Sequence, residues 1–188
     1  PSRTAPENSA LIKLLAFTKM GNLEVDYYTL QLPDGKTWKE AVMGGFAVHN
    51  NLLIFSELTS QKLYLYDTAK VSMEQKGKRI KEIEFKDAQA LAFSADGSLL
   101  ILQDKMLKRF SVNQDYTLTE QADVVAEGLE DPRQLMVAPD GRIFVADWGN
   151  SNQVKIYSPE GTLIKCMGTA GPVKAGPYDK THMNQPFG

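Results

Sequence analysis

The chain has 188 residues, 43% hydrophobic and 23% charged, with a formal net charge of −2; such a composition supports one sizeable core or two small ones and excludes disordered and fibrous classes. So small a charge excludes long-range attraction to nucleic acid or to an anionic membrane. The single cysteine, Cys166, excludes an internal disulfide and a cysteine zinc cluster, and no apolar run approaches the ~18 residues that a membrane-spanning helix needs.

In chain order, the first segment, 10–44, is an incomplete unit. Its expected strands are Leu11–Phe17, Leu23–Leu32 and Trp38–Val42, with Pro33-Asp34-Gly35-Lys36 as a turn. The next unit, 45–86, opens on Phe46 to Glu57, two apolar strands around Asn50-Asn51, followed by strands Lys62–Asp67 and Arg79–Phe85. The unit 87–130 repeats the pattern: Ala90 to Gln103 is a hairpin around Asp96-Gly97, followed by Leu107–Val112 and Thr117–Ala126. The unit 131–168 repeats it again, with Gln134 to Asp147 around Asp140-Gly141, then Val154–Ser158 and Thr162–Met167. An interblade loop, 169–185, leads to 186–188, where Asn184-Gln-Pro-Phe-Gly188 repeats Glu130-Asp-Pro-Arg-Gln134 as the start of a further unit.

Asp140 follows Asp96 by 44 residues, and the two hairpins align without a gap. A two-residue Asp-Gly or Asn-Asn turn between apolar runs is a hairpin signal, because tight turns need positive φ. Four antiparallel strands per unit at this period predict β-propeller blades. The inner strands show little alternation and are expected to be buried on both faces. The third strands alternate and are expected to be half exposed. The fold class is therefore all-β, a single partial propeller over 1–188 with about four blades. The chain opens on Pro1 and closes inside a blade, so it reads as a fragment of a longer chain.

From Asp131 to Gly161 the sequence resembles the NHL repeat: a proline lead-in (Pro132), an apolar strand, the Asp140-Gly141 turn, the Val145-Ala146-Asp147 strand, the Gly149-Asn150 loop and the Val154 to Tyr157 strand. The loop Gly168 to Asp179, with Met183 to Pro186, is similar to the long interblade loop of bacterial NHL proteins of unknown activity. The resemblance implies a propeller of six blades, of which this chain supplies the middle.

Glu57, Gln103 and Asp147 occupy one repeat position, at the end of the second strand. Equivalent positions form a ring in a propeller, so Glu57 and Asp147 are the candidate metal ligands, for calcium if any cofactor is bound. The competing reading, and the favoured one, is that Asp147 accepts backbone amides of the turn Trp148-Gly149-Asn150. Arg133, Asp147, Trp148, Asn150 and Asn152 cluster on or near loops of the best-formed blade and are the candidate ligand-binding residues. His49 and His182 read as solvated loop residues. The basic run Lys76, Lys78, Arg79 and Lys81, followed by Glu82 and Glu84, reads as a solvated loop leading into an outer strand rather than a phosphate contact.

No catalytic constellation is visible. The expected function is non-catalytic binding of a protein or glycan on a propeller face. The alternative is a metal-dependent lactonase or hydrolase similar to the gluconolactonase propellers, and the third is a zinc lyase similar to the amidating propellers, for which two histidines are few. Cys166 leaves the compartment unread, with a lean to a secreted or periplasmic protein.

Overall fold

Four successive apolar side chains, Leu99 to Leu102, sit at the centre of the molecule, each with none of its surface exposed. A strand can bury both its faces only between two other layers. Here Leu99 and Ile101 pack towards one neighbouring sheet, and Leu100 and Leu102 towards the other. The computed structural model describes residues 16–17, 23–24, 42–69, 78–172, 176–177 and 179–186.

All regular elements among the described residues are strands. A two-stranded ribbon, β1 (Ala16–Phe17) with β2 (Leu23–Glu24), precedes three antiparallel four-stranded sheets. The first blade is β3 (Met43–His49), β4 (Leu52–Glu57), β5 (Lys62–Asp67) and β6 (Lys78–Glu84). The second is β7 (Ala88–Phe93), β8 (Leu99–Gln103), β9 (Met106–Val112) and β10 (Leu118–Glu120). The third is β11 (Pro132–Val137), β12 (Ile143–Asp147), β13 (Gln153–Tyr157) and β14 (Leu163–Met167). Strands follow chain order across every sheet. This is the blade topology of a β-propeller, as the repeats imply. The remaining strand positions expected within 10–41 lie outside the described residues.

Two cores hold the blades together. Ala47, Ile54, Leu63 and Leu65 of the first blade meet Leu91, Leu99, Ile101 and Phe110 of the second. Leu100, Leu102 and Leu107 of the second meet Ile143, Val145 and Tyr157 of the third. The first strands are adjacent and very close. A Cβ on Gly44 would lie 2.2 Å from the carbonyl oxygen of Ala88, so β3 approaches β7 backbone to backbone.

Three expectations are corrected. The Asp-Gly hairpins are not two-residue turns. Ser94 N–H donates to Ser98 O and Gly97 N–H to Ser94 O, which encloses three residues and places Gly97 at φ +83°; the same pair of bonds closes 113–117, 138–142 and 158–162. This is a type I turn with a left-handed bulge residue. Asp96 and Asp140 act as caps, accepting the amides of Ser98 and Arg142.

The third strand Lys62–Asp67 is not half exposed either. Leu63 to Tyr66 are all buried, because Tyr64 and Tyr66 stack on Phe55, with ring centroids 5.1 and 5.7 Å away, on the face turned from the second blade. Nor does the fourth strand of the second blade run to Ala126. It ends at Glu120, and only Val125 rejoins the sheet, opposite Leu107. The reason is packing: Val124, Val125 and Leu129 fill the core between the second and third blades.

Gly161 fits under that plug. Its φ is +92°, and a Cβ there would lie 1.7 Å from Val124 O. Gly161→Ala is therefore expected to lower unfolding free energy by about 3 kcal/mol or more. Gly128→Ala, at φ +88° but with nothing within 4 Å of the added carbon, is expected to cost only about 1 kcal/mol. Urea denaturation midpoints of the two variants check the difference; equal shifts would contradict the close approach.

Candidate functional site

In an antiparallel sheet joined in chain order, the segment leading into the first strand and the turn between the second and third lie at one end. The candidate residues all belong to that end. Each first strand also carries an irregularity there, with Gly44-Gly45, Gln89 and Arg133 as the extra residues. A bulge turns its side chain out of the ladder, which is how Arg133 becomes exposed beside buried Pro132.

The repeat position Glu57, Gln103 and Asp147 forms a set of latches. Asp147 is fully buried; its Oδ1 accepts the amides of Glu130 and Asp131, both at 2.9 Å, and its Oδ2 accepts Lys155 Nζ at 2.6 Å. Lys155 Nζ also donates to Gly128 O at 2.5 Å. The amides therefore come from the segment leading into β11 and not from the Trp148-Gly149-Asn150 turn, as the sequence led us to expect. Across the blade mouth, Trp148 N–H returns a bond to Asp131 O at 2.9 Å.

The first blade repeats the arrangement. Glu57 accepts the amides of Val42, Thr59 and Ser60 and the Ser60 hydroxyl, and Leu58 N–H donates to Val42 O. Burial alone would raise the Glu57 carboxyl; the bonds from Ser60 and Thr59 outweigh it and hold the group at about 2. In the second blade Gln103 donates to Lys86 O at 2.8 Å, so an amide grips a carbonyl where the acids grip amides. The carboxylates are bound to their own blades, and among the described residues no group of three or more His, Cys, Asp or Glu is placed to hold a metal ion.

The other candidates divide into a surface pair and a buried anchor. The Arg133 guanidinium lies 5.1 Å from the centroid of the Trp148 ring, a cation–π distance, and pairs with Asp131 at 2.9 Å. Trp148 is half buried, and its indole donates to Pro186 O at 2.7 Å, which ties the long interblade loop to the blade. Asn152 is buried at φ +45°; its amide donates to Gly149 O, and its carbonyl accepts Gln185 N–H. It anchors the same loop. Asn150 is exposed at the turn.

Arg133 borders a groove of about 430 Å³ between the second and third blades, with Asp87, Gln89, Asp104, Lys105 and Asp131 in its walls. Sequence reasoning missed Lys155 and Lys105. Lys155 sits between Val154 and Ile156, and a lone lysine inside an apolar strand is the signal that marks a buried counter-charge. Lys105 carried no signal beyond its place in a turn.

His49 is not a solvated loop residue. It ends β3, half buried, with its ring 5.2 Å from that of Phe93. His182 Nδ1 is 2.6 Å from Asp179 in the interblade loop. Of the basic run, Arg79 pairs with Glu82 at 2.8 Å and Lys81 donates to Asp115 O.

No family model and no curated protein matches the chain. The fold is similar to that of solved structures. Glutaminyl cyclase from Myxococcus xanthus has a TM-score of 0.54 at 17% identity, over 74% of this chain and 60% of that one. A chain of the nidogen/laminin complex has 0.60 at 14%, over 88% and 62%. A protein from Lactobacillus plantarum has 0.56 at 16%, over 83% and 50%. The chain thus spans between half and three fifths of the length of these structures, and at such identities the likeness shows the propeller-type fold alone.

The Glu57 latch makes stability pH-dependent. Its folded pKa, about 2, lies below the ordinary 4.5, so its contribution, on the order of 3 kcal/mol, is complete above about pH 4.5 and lost as pH falls through about 2. Glu57→Gln is expected to remove that part of the acid limb in denaturation measured from pH 7 to 2. Asp147→Ala strands the Lys155 ammonium and is expected to cost about 3–5 kcal/mol at pH 7; Asp147→Ala with Lys155→Met is expected to recover part of it.

Proposed function

We propose that the chain belongs to a non-catalytic propeller of NHL type that captures a protein partner on the end face carrying Arg133 and Trp148. The observation that carries this reading is the exposed Arg133 stacked on Trp148 at the rim of the 430 Å³ groove. Arginine and tryptophan dominate the energetics of protein interfaces, because each offers a large contact area together with directed polar groups. The stack also holds the guanidinium in place before a partner arrives, which reduces the ordering cost of binding.

The groove supplies both signs of charge, with Lys105 and Arg133 opposite Asp87, Asp104 and Asp131. Mixed charge in one cleft favours a polypeptide, which brings its own backbone donors and acceptors and side chains of both signs. The NHL reading rests on the pattern from Asp131 to Gly161. The gluconolactonase-like alternative needs free carboxylates at the repeat position, and those of Glu57 and Asp147 are engaged by amides of their own blades.

Arg133→Ala and Lys105→Ala change exposed side chains and leave the latches whole. After a partner has been identified by cross-linking and mass spectrometry, Arg133→Ala is expected to weaken it at least roughly tenfold by calorimetry, with Lys105→Ala weakening it less. Unchanged affinity in the double variant would remove this face from the proposal.

A further inference from the structure

The opposite end of the molecule holds a second groove, between the first and second blades, with a volume of about 490 Å³. It is built from hairpin ends. His49 and Asn51 come from the β3–β4 turn, Phe93 from the end of β7, Asn113 and Tyr116 from the β9–β10 turn, and Asp67 from the end of β5. His49 and Phe93 lie ring against ring at one side.

One residue of this groove departs from the pattern of the other turns. Four hairpins share the same pair of closing bonds, and the left-handed bulge position is Gly97, Gly141 and Gly161 in three of them. In the fourth it is Tyr116, at φ +61°. A bulky residue in that region is a conformational outlier that glycine would avoid. Such strain persists where the side chain is needed in its place. Here the ring packs on the core between the first and second blades, and its remaining surface forms a wall of the groove beside Asn113.

We propose that this groove is a binding site for an uncharged sugar of one or two rings. None of the described residues that line it is a lysine or arginine, which disfavours anions. Asp67 is the one carboxylate among the described lining residues, and a single carboxylate does not make a cation cage. What remains is aromatic surface with the Asn51 side chain and the Asn113 side-chain carbonyl beside it, the Asn113 amide donating to Thr117 and Thr119. The C–H face of a pyranose packs on such rings, and its hydroxyls both donate to and accept from asparagine side chains. The volume falls within the range of small-ligand sites. The lining residues named are all described residues of the first and second blades, and the site does not depend on the Arg133 face.

The test is NMR titration of the whole chain with glucose, maltose, cellobiose and chitobiose at millimolar concentrations, with inorganic phosphate as the charged comparison. At least one sugar is expected to shift the ring signals of His49, Phe93 and Tyr116, and phosphate none of them. Asn51→Ala, an exposed change, is expected to weaken that sugar roughly threefold, and Tyr116→Asn, which keeps a residue tolerant of positive φ, at least roughly tenfold. Arg133→Ala should leave sugar binding unchanged, which separates this site from the other face. Absence of shifts with all four sugars, stronger shifts with phosphate, or full affinity in Tyr116→Asn would overturn the proposal.

Discussion

The architecture depends on one recurring interaction, the grip of the second-strand end on the segment that leads into its own blade. The first strand of each blade has a hydrogen-bonded neighbour on one side only, since β3, β7 and β11 are all edge strands. Edge strands present unpaired backbone groups and are free to slip or associate. Glu57, Gln103 and Asp147 act against this by binding backbone at Val42, Lys86 and Glu130-Asp131, just ahead of those strands. With each lead-in pinned, the first strands can approach as closely as Gly44 and Ala88 do.

The latch also explains why a buried ion pair is tolerated. Asp147 and Lys155 are both withdrawn from water, which carries a large desolvation cost. Two amides on the carboxylate and the Gly128 carbonyl on the ammonium satisfy their remaining bonding capacity. Around Glu57, three amides and a hydroxyl supply the donors. Gln103 carries no charge and reverses the polarity of the contact. Three chemically different side chains therefore satisfy one geometric requirement, and that difference is what disfavours a shared metal shell at this position.

Much of this was legible in the sequence. The hairpins around Asp96-Gly97 and Asp140-Gly141 carry period, turn chemistry and apolar strands together, and those signals are local. The latch position was visible as an alignment column, but its partners were not, because they lie beyond a one-residue bulge that breaks the register of each first strand. Lys155 and the stacked Phe55, Tyr64 and Tyr66 were hidden for a related reason: the alternation of a strand tells which residues share a face, and burial of that face is decided by a neighbour far away in sequence. Arg133 was found through its loop setting, whereas Tyr116 was not, since an aromatic residue in a turn signals nothing until its φ is known.

The two ends of the blades are consequently under different constraints. At the lead-in end, carboxylates, amides and the Trp148 indole are spent on holding the chain, and the side chains left to a partner are those on bulges and turn tips, such as Arg133 and Lys105. At the hairpin end, four turns close with the same two backbone bonds, capped by Asp96, Asp115, Asp140 and Ser158, while His49, Phe93 and Tyr116 divide their surface between packing and the groove. At the bulge positions of the other three turns the fold takes glycine; Tyr116 departs from them with a ring that packs on the core between the first and second blades and also lines the groove.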